Sequence, residues 1–465
     1  MVKFRIPGIH SSLQSDYIDR LIKLTSHPAL QKIKSAINTP QLYLVGGTVR
    51  DTALGVESKD FDLACDLKPE EMISRLSKQS IHCVPTGIDH GTITAVVDQH
   101  NIEITTFRVP GKRNRDRPEN LYSKDITIDL EGRDFTINAM AFSLSGGSFI
   151  DPFHGIEDLK HDTLRAVKDP STRFSEDPLR ILRMLRFGPA QSRKIDNATL
   201  KAASNLYSSI NEVSTERVTE EFLKILCSKN ASDALRLMRK IKILDIILPE
   251  IVSSYDFEQN EYHRFDVFEH TLAVIDNAER TPLQRLTALF HDLGKPHTLS
   301  VGDDGRRHFY KHELVSSDIT RKVMKRMKLS NELTKGVYNL VRHHMRPIEC
   351  GPAGLRRLQR DLDNYFEEWL LFKRADALGA KVGEAEFDQA LEAFMQMVNE
   401  ENKRIKLNDY RKLAITGDDL KELGLNEGVK IGQILGLLRE QVLDDPAKNS
   451  REYLLGEAKK LLISA

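Results

Sequence analysis

Two aspartates, Asp60 and Asp62, stand two residues apart in Lys59-Asp60-Phe61-Asp62-Leu63. An extended strand alternates its side chains, so this spacing predicts both carboxylates on one face. Paired carboxylates hold divalent cations, usually Mg2+, that grip the attacking and leaving oxygens of phosphoryl transfer. Just upstream, Leu44-Val45-Gly46-Gly47-Thr48-Val49-Arg50-Asp51 places Gly46 and Gly47 where an apolar strand gives way to a helix. Backbone there can approach a phosphate closely and aim N–H groups at it. Either feature alone is common. In this order and at this distance they predict nucleotidyl transfer.

Further candidates lie downstream. Glu103 on the strand-like run 101–106 can complete or orient the metal site, and Arg108 at its end can reach a triphosphate. Arg133, Asp134 and Asn138 in Arg133-Asp134-Phe135-Thr136-Ile137-Asn138 suggest a hydrogen-bonded hinge touching ribose or phosphate, with Phe135, Ile137 and Met140 in the core. In Glu176-Asp177-Pro178-Leu179-Arg180-Ile181-Leu182-Arg183, Asp before Pro is an ordinary helix start. It leaves Arg180 and Arg183, on the face of Asp177, unexplained. Cytosine and adenine each present an exocyclic amine beside a ring nitrogen acceptor. An Asp accepting from the amine and an Arg donating to the ring nitrogen select C and A over G and U.

A second constellation follows: His270 in Val267-Phe268-Glu269-His270-Thr271, then Leu289-Phe290-His291-Asp292-Leu293-Gly294-Lys295, then Asp376. Adjacent His-Asp with an earlier His and a later Asp resembles the HD metal-dependent phosphohydrolase domain. The expected ligand set is His270, His291, Asp292 and Asp376, with His312, His343 and His344 as second-metal or supporting groups. Imidazole and carboxylate suit a borderline ion such as Ni2+, Mn2+ or Co2+, or Mg2+ less tightly, and the chemistry is phosphoester hydrolysis.

The elements that must position these groups divide the chain of 465 residues. Residues to about 40 read as helical. From 41 to about 150, short β-rich runs (42–45, 61–64, 92–97, 102–106) predict a small mixed sheet packed on helices. Beyond Asp151 the period is helical, broken by a turn at Asp303-Asp304-Gly305-Arg306-Arg307, with a last helical segment starting near 381–384. The expected class is α+β: a small mixed-sheet head at 1–160, a helical neck at 161–255 bearing the base-reading helix, an HD domain at 256–380 and a helical tail at 381–465.

Lysine plus arginine equals aspartate plus glutamate, 68 each, which argues against a bulk polyanion binder. Local basic clusters remain at Lys112, Arg113, Arg115 and Arg117; at Lys322, Lys325, Arg326 and Lys328; and at Arg356, Arg357 and Arg360. Each is an ordinary solvated face unless something else marks it. Four scattered cysteines, without Cys-x-x-Cys spacing, and an N-terminus unlike a signal peptide predict a reducing cytoplasm. No apolar run suits a membrane span, and no obligatory protein partner is indicated.

Gly-Gly-x-x-Arg-Asp at 46–51, Asp-x-Asp at 60–62, Arg-Asp-Phe-Thr-Ile-Asn-Ala at 133–139 and Glu-Asp-Pro-x-Arg-x-x-Arg at 176–183 together resemble the class II tRNA nucleotidyltransferase and poly(A) polymerase family. Glu216-Arg217-Val218-Thr219-Glu220-Glu221 is similar to a helix-capping segment of that family's neck, and Ile415-Thr416-Gly417-Asp418-Asp419-Leu420 to part of its tRNA-contacting tail. The resemblance implies Mg2+-dependent, untemplated addition of C, C and A from CTP and ATP to the tRNA 3′ end. It implies metal at Asp60 and Asp62, triphosphate at Gly46, Gly47 and Arg50, and base selection by Asp177 and Arg180. Its HD-bearing members imply action on 2′,3′-cyclic phosphates. Glu131-Gly132 stands where relatives carry another arginine, at the expense of a triphosphate contact; the segment 108–125 with Arg117-Pro118 corresponds to a flexible loop. A poly(A) polymerase, a CC- or A-only enzyme, and a hydrolase with an RNA-binding head are the competing expectations.

Overall fold

In the computed structural model, the described residues are 11–463 apart from 58–59, 89–90, 112–120, 260–265, 381–383, 408–410 and 426–427. The basic cluster at 112–117, the Arg117-Pro118 loop and most of the expected passage at 381–384 therefore lie outside them. Contacts divide the chain into two units, Met1–Ile247 and Leu248–Ala465.

The first unit holds a seven-stranded mixed sheet. Its strands are β1 (Leu42–Val45), β2 (Phe61–Cys65), β3 (His82–Gly87), β4 (Thr92–Val97), β5 (His100–Thr106), β6 (Ala141–Ser143) and β7 (Phe149–Ile150). Their order across the sheet is β3-β4-β5-β2-β1-β6-β7. The pair β2–β5 is parallel, with Asp62 opposite Glu103, and β1–β2 is antiparallel. Strand β1 is buried along its whole length, as a central strand must be. One sheet-side core gathers Tyr43, Val45, Ala64, Phe107, Ile126, Leu130 and Val167. The helices Ser11–Thr25 and Pro28–Ile37 precede β1, and the second buries Leu30, Ile33 and Ile37. Beyond β7 the unit is helical, apart from a two-residue parallel ladder joining Thr163–Leu164 to Lys194–Ile195.

The helix Leu179–Phe187 buries Ile181, Leu182, Met184, Leu185 and Phe187. That apolar stripe leaves Arg180, Arg183 and Arg186 at three-residue steps along the complementary face. Its partner Thr215–Leu226 contributes the buried Glu221, whose carboxylate accepts from Arg186 Nε at 2.5 Å.

Among the described residues the second unit is helical with one small hairpin, Ser300–Val301 against Arg307–His308, closed by the expected turn at 303–305. A core around Trp369, Phe366, Leu340, Leu358 and Phe394 fills one part, and Ile415, Leu420, Leu438 and Leu454 fill another. The basic cluster at 356–360 is neutralised within this unit. Arg356 is buried on Glu401 (2.9 Å), Arg357 pairs with Glu440 and Asp444, and Arg360 with Asp361 and Glu440. Arg326 of the second cluster pairs with Glu250 at 2.6 Å. The segment Thr416–Asp419 closes a capping box: the Asp419 carboxylate accepts from Thr416 N at 2.6 Å and from its hydroxyl at 3.0 Å. No described helix is long and apolar enough to cross a membrane.

Candidate active site and metal centre

Strand β1 runs directly into the helix Gly46–Ala53. Gly46 makes that junction with φ +59, a conformation natural to glycine. A Cβ at Gly46 would stand 2.8 Å from Arg133 Nη1, and one at Gly47 would stand 3.3 Å from Asp62 Oδ2. The glycine pair is thus wedged between the Asp62 carboxylate and the Arg133 guanidinium. Gly46→Ala must strain the backbone and displace Arg133. We expect it to raise the KM for nucleoside triphosphate by about tenfold, from ~1–2 kcal/mol of lost geometry; steady-state kinetics at saturating RNA measures it.

Asp62 lies in β2, whereas Asp60 precedes the strand by one residue, so strand alternation alone does not place both. The Asp62 amide donates to Thr48 Oγ1 at 2.7 Å, tying the strand to the glycine helix. Burial pushes the Asp62 carboxyl above its ordinary range, against the pull of Arg133 and Arg50. Glu103, directly across the ladder, keeps solvent contact at the residue level. Its carboxyl is also pushed up, by desolvation and then by Asp62. Two carboxyls crowded in this way are relieved by a divalent cation bound between hard oxygen donors, so the donor set suits Mg2+.

The cationic residues around this pair are held by neighbours. Arg50 is buried; its Nη1 donates to Asn138 Oδ1 at 2.6 Å, its Nε and Nη2 reach Asp51 at 2.8 Å, and it lies 4.9 Å from the Phe187 ring. Arg133 donates to Asp129 through Nη2 at 3.1 Å. The Arg108 backbone N–H donates to the same carboxylate at 3.0 Å, so Asp129 organises both segments.

Asp134 is buried and fully engaged. It accepts from Arg183 Nε at 2.7 Å, from Asn138 Nδ2 at 3.1 Å and from its neighbour Phe135 N at 2.8 Å. Burial alone would raise its pKa; Arg183 and these hydrogen bonds hold it below the usual carboxylate range. A depressed folded pKa gives stability that is full above the unfolded value of about 4 and is lost as pH falls through the folded value. Asp134→Asn is therefore expected to lower the melting temperature at pH 7. The gap to the parent should narrow below about pH 4, as thermal melts at pH 7, 5 and 3 would show.

Asp177 does not start its helix alone. It ends the helix Pro170–Glu176 and accepts from Leu179 N at 3.3 Å, while its other oxygen takes Arg217 Nη2 at 2.9 Å. Arg180 donates to the Gly132 carbonyl at 2.7 Å and to Glu176 at 3.1 Å. Gly132, where the sequence departs from the expected arginine, thus offers its carbonyl to the helix Leu179–Phe187. Arg217, expected only as part of a capping segment, is the partner of Asp177.

In the second unit, two groups of three ligand atoms converge: His270, His291 and Asp376, and Asp292, His312 and His344. The four expected ligands are all present, but they split between two groups, and His343 belongs to neither. Asp292 spans both. Its Oδ2 lies 3.1 Å from His291 Nε2 and 3.5 Å from His270 Nε2, and its Oδ1 lies 3.2 Å from His312 Nε2 and 3.6 Å from His344 Nε2. Asp376 Oδ1 stands 3.3 Å from His270 Nε2. Three imidazoles are oriented by backbone: Nδ1 of His291, His312 and His344 meets the carbonyls of Ala288, Phe309 and Val341 at 2.7–2.8 Å. A carbonyl oxygen only accepts, so each Nδ1 carries a hydrogen, and Nε2 of each ring is turned towards the centre.

Gly294 permits this assembly, since a Cβ there would lie 2.3 Å from the His312 carbonyl. Lys295, buried, lies 2.7 Å from Asp292 Oδ2 and donates to Gln259 Oε1 at 2.6 Å. Against the effect of burial, His291 and Lys295 hold the Asp292 carboxyl well below its ordinary range. Asp292 Oδ2 is sealed from solvent, with Lys295 Nζ at 2.7 Å and His291 Nε2 at 3.1 Å. A buried carboxylate oxygen in that state, ringed by imidazole nitrogens, fits a transition-metal pair.

Comparison with known proteins gives three family matches: the poly A polymerase head domain over residues 42–165, the probable RNA- and SrmB-binding site of polymerase A over 194–254, and a putative tRNA nucleotidyltransferase domain 2 over 312–458. The chain is 30% identical over 424 residues to the CCA-adding enzyme of Enterococcus faecalis, spanning 90% of this chain and 92% of that one. It is 30% identical over 435 residues to the CCA-adding enzyme of Pediococcus pentosaceus, spanning 93% and 96%. Its fold is similar to the Bacillus stearothermophilus CCA-adding enzyme solved with CTP, at TM-score 0.67 and 20% identity over 98% of this chain and 99% of that one. The Thermotoga maritima CCA-adding enzyme complexed with tRNA is similar at TM-score 0.55 and 21% identity over 97% and 98%.

Proposed function

The chain belongs to the tRNA nucleotidyltransferase and poly(A) polymerase family, and on that premise we propose that it adds C, C and A to tRNA 3′ ends from CTP and ATP without a nucleic-acid template. The observation that carries the reading is the left-handed Gly46 turn wedged between Asp62 and Arg133, with Glu103 across the ladder. Asp60, Asp62 and Glu103 would hold Mg2+, which when bound neutralises charge on the reacting phosphate. Gly46 and Gly47 offer backbone N–H groups to the triphosphate, and Arg50, Arg108 and Arg133 offset its charge. Asp134 and Asn138 keep Arg183 and Arg50 in position. The RNA 3′-hydroxyl then attacks the α-phosphorus and pyrophosphate leaves.

Base choice falls to Asp177 and Arg180, with Arg183 bracing their helix. Asp177 must exchange Arg217 for the exocyclic amine of C or A. That exchange is easy, because an ion pair with an Arg 52% exposed contributes only about 0–1 kcal/mol. The working division we propose is a head at 1–160, a neck at 161–255, an HD module at 256–380 and a tail at 381–465.

For the second centre we propose phosphoester hydrolysis, supported by the convergence of His270, His291, Asp292, His312, His344 and Asp376. Bound ions there, Ni2+, Mn2+ or Co2+, supply Lewis acidity and an activated water. Its substrates on this reading are 2′,3′-cyclic or terminal phosphates of RNA ends.

The deciding assay offers Mg2+ and tRNA ending at the discriminator base, at C or at CC, with CTP or ATP supplied separately. Two C additions followed by one A are expected. Long A tracts would make the chain a poly(A) polymerase, addition of C alone or A alone would make it a partial enzyme, and cyclic-phosphate hydrolysis without any addition would leave the head as an RNA-binding module.

A further inference from the structure

The segment between Asp292 and His312 carries a small built feature. Ser300–Val301 and Arg307–His308 pair as an antiparallel hairpin, and Arg307 pins it by donating to the Glu258 carbonyl at 2.7 Å. As the chain leaves the hairpin, His308 and Tyr310 stack, with ring centroids 5.2 Å apart and planes 12° from parallel. Tyr310 is 70% exposed. Phe309, between them, serves the centre instead: its carbonyl takes His312 Nδ1 at 2.8 Å, and its ring lies 6.0 Å from the Lys295 ammonium. An exposed aromatic ring, stiffened by a stacked neighbour, is therefore fixed two residues from a ligand of the His/Asp centre.

We propose that Tyr310, braced by His308, is a stacking platform for the nucleobase of a nucleotide whose phosphate sits at the His/Asp centre. The inference rests on the hydrolase reading of that centre and names the side chain that holds the substrate's base. Three arguments select this occupant. The His/Asp centre with its buried lysine is the cationic end that a phosphate needs once metal is bound. A π-face is what a nucleobase needs, and base–aromatic stacking tolerates any base, as an end-processing site requires. The reach also matches: two residues of chain span at most about 7 Å, comparable with the phosphate-to-base distance of one nucleotide.

The test exploits the tryptophan content. The chain has one tryptophan, Trp369, and it is fully buried. Tyr310→Trp therefore adds one exposed reporter to the full-length protein. With Mg2+ present, adenosine 3′-monophosphate should quench and shift its emission, and glycerol 2-phosphate should not. In parallel, Tyr310→Ala should reduce discrimination between adenosine 2′,3′-cyclic phosphate and base-free glycerol 1,2-cyclic phosphate by about tenfold in kcat/KM, with Tyr310→Phe restoring it. Absence of quenching by the nucleotide, equal quenching by both ligands, or unchanged discrimination in Tyr310→Ala would overturn the platform. Failure of the parent protein to hydrolyse either cyclic phosphate would instead remove the hydrolase reading, and the emission titration would still decide the platform.

Discussion

Replacing Asp62 with alanine is expected to lower nucleotide addition at least ~10³-fold, the equivalent of about 4 kcal/mol of lost transition-state stabilisation. Asp62 sits centrally: its oxygen faces the space beside Gly47, its strand neighbour is Glu103, and Arg50 and Arg133 both act on its charge. On the proposed reading, removing it deletes an oxygen that would hold the metal, and it takes away one of the anions near Arg50 and Arg133. Asp60→Ala should behave alike. Hydrolysis at the His/Asp centre should survive both changes, because its ligands all come from the second unit. Single-nucleotide incorporation into tRNA ending in CC, measured beside cyclic-phosphate hydrolysis, reads both activities. Substantial residual incorporation by Asp62→Ala, or loss of both activities together, would break the two-site account.

The order of motifs was legible in the sequence because each motif is local. Gly46-Gly47 open a helix and Asp62 lies on a strand, with Asp60 one residue before it, and the runs at 42–45, 61–64, 92–97 and 102–106 match strands within a residue or two. Strands β3, β6 and β7 escaped. β3 contains Pro85 and a register shift between Val84 and Gly87, as suits the edge of a sheet. β6 and β7 are three and two residues long, too short to show a period.

What sequence could not supply was partnership across distance. Arg356 reads as a surface charge until Glu401, 45 residues on, accepts it in the interior. Asp177 reads as a helix cap until Arg217 arrives from 40 residues away. The converging His and Asp residues were identifiable by type, yet nothing in their spacing says that the two oxygens of Asp292 face different histidines. That division follows from Gly294 letting the His312 helix approach the loop, a tertiary event.

The same division makes Asp292 the most sensitive position of the second unit. Loaded protein should hold about two transition-metal ions per chain, the count that two convergent groups of ligands can support. His344→Ala removes a ligand from one group and should reduce the count to about one. Asp292→Ala removes the carboxylate common to both groups and should reduce it to nearly none, with hydrolysis falling at least ~10³-fold. It also strips the counter-charge from Lys295 and His291, and breaking a buried pair from one side costs about 3–5 kcal/mol. His291, whose pKa burial alone would lower and Asp292 raises, can answer by shedding its proton. Lys295 is left with Gln259. Asp292→Asn keeps the volume and a neutral oxygen, so it separates lost ligation from lost packing. It should bind little metal and melt below the metal-free parent, because Lys295 still loses its counter-charge. Metal content by mass spectrometry after dialysis, with melting curves before and after chelation, measures both quantities. Chelation should lower the melting temperature of the parent, because bound ions stabilise only the folded state, and should leave Asp292→Asn almost unmoved. An Asp292→Asn protein that retains two ions would show that the carboxylate does not join the two groups.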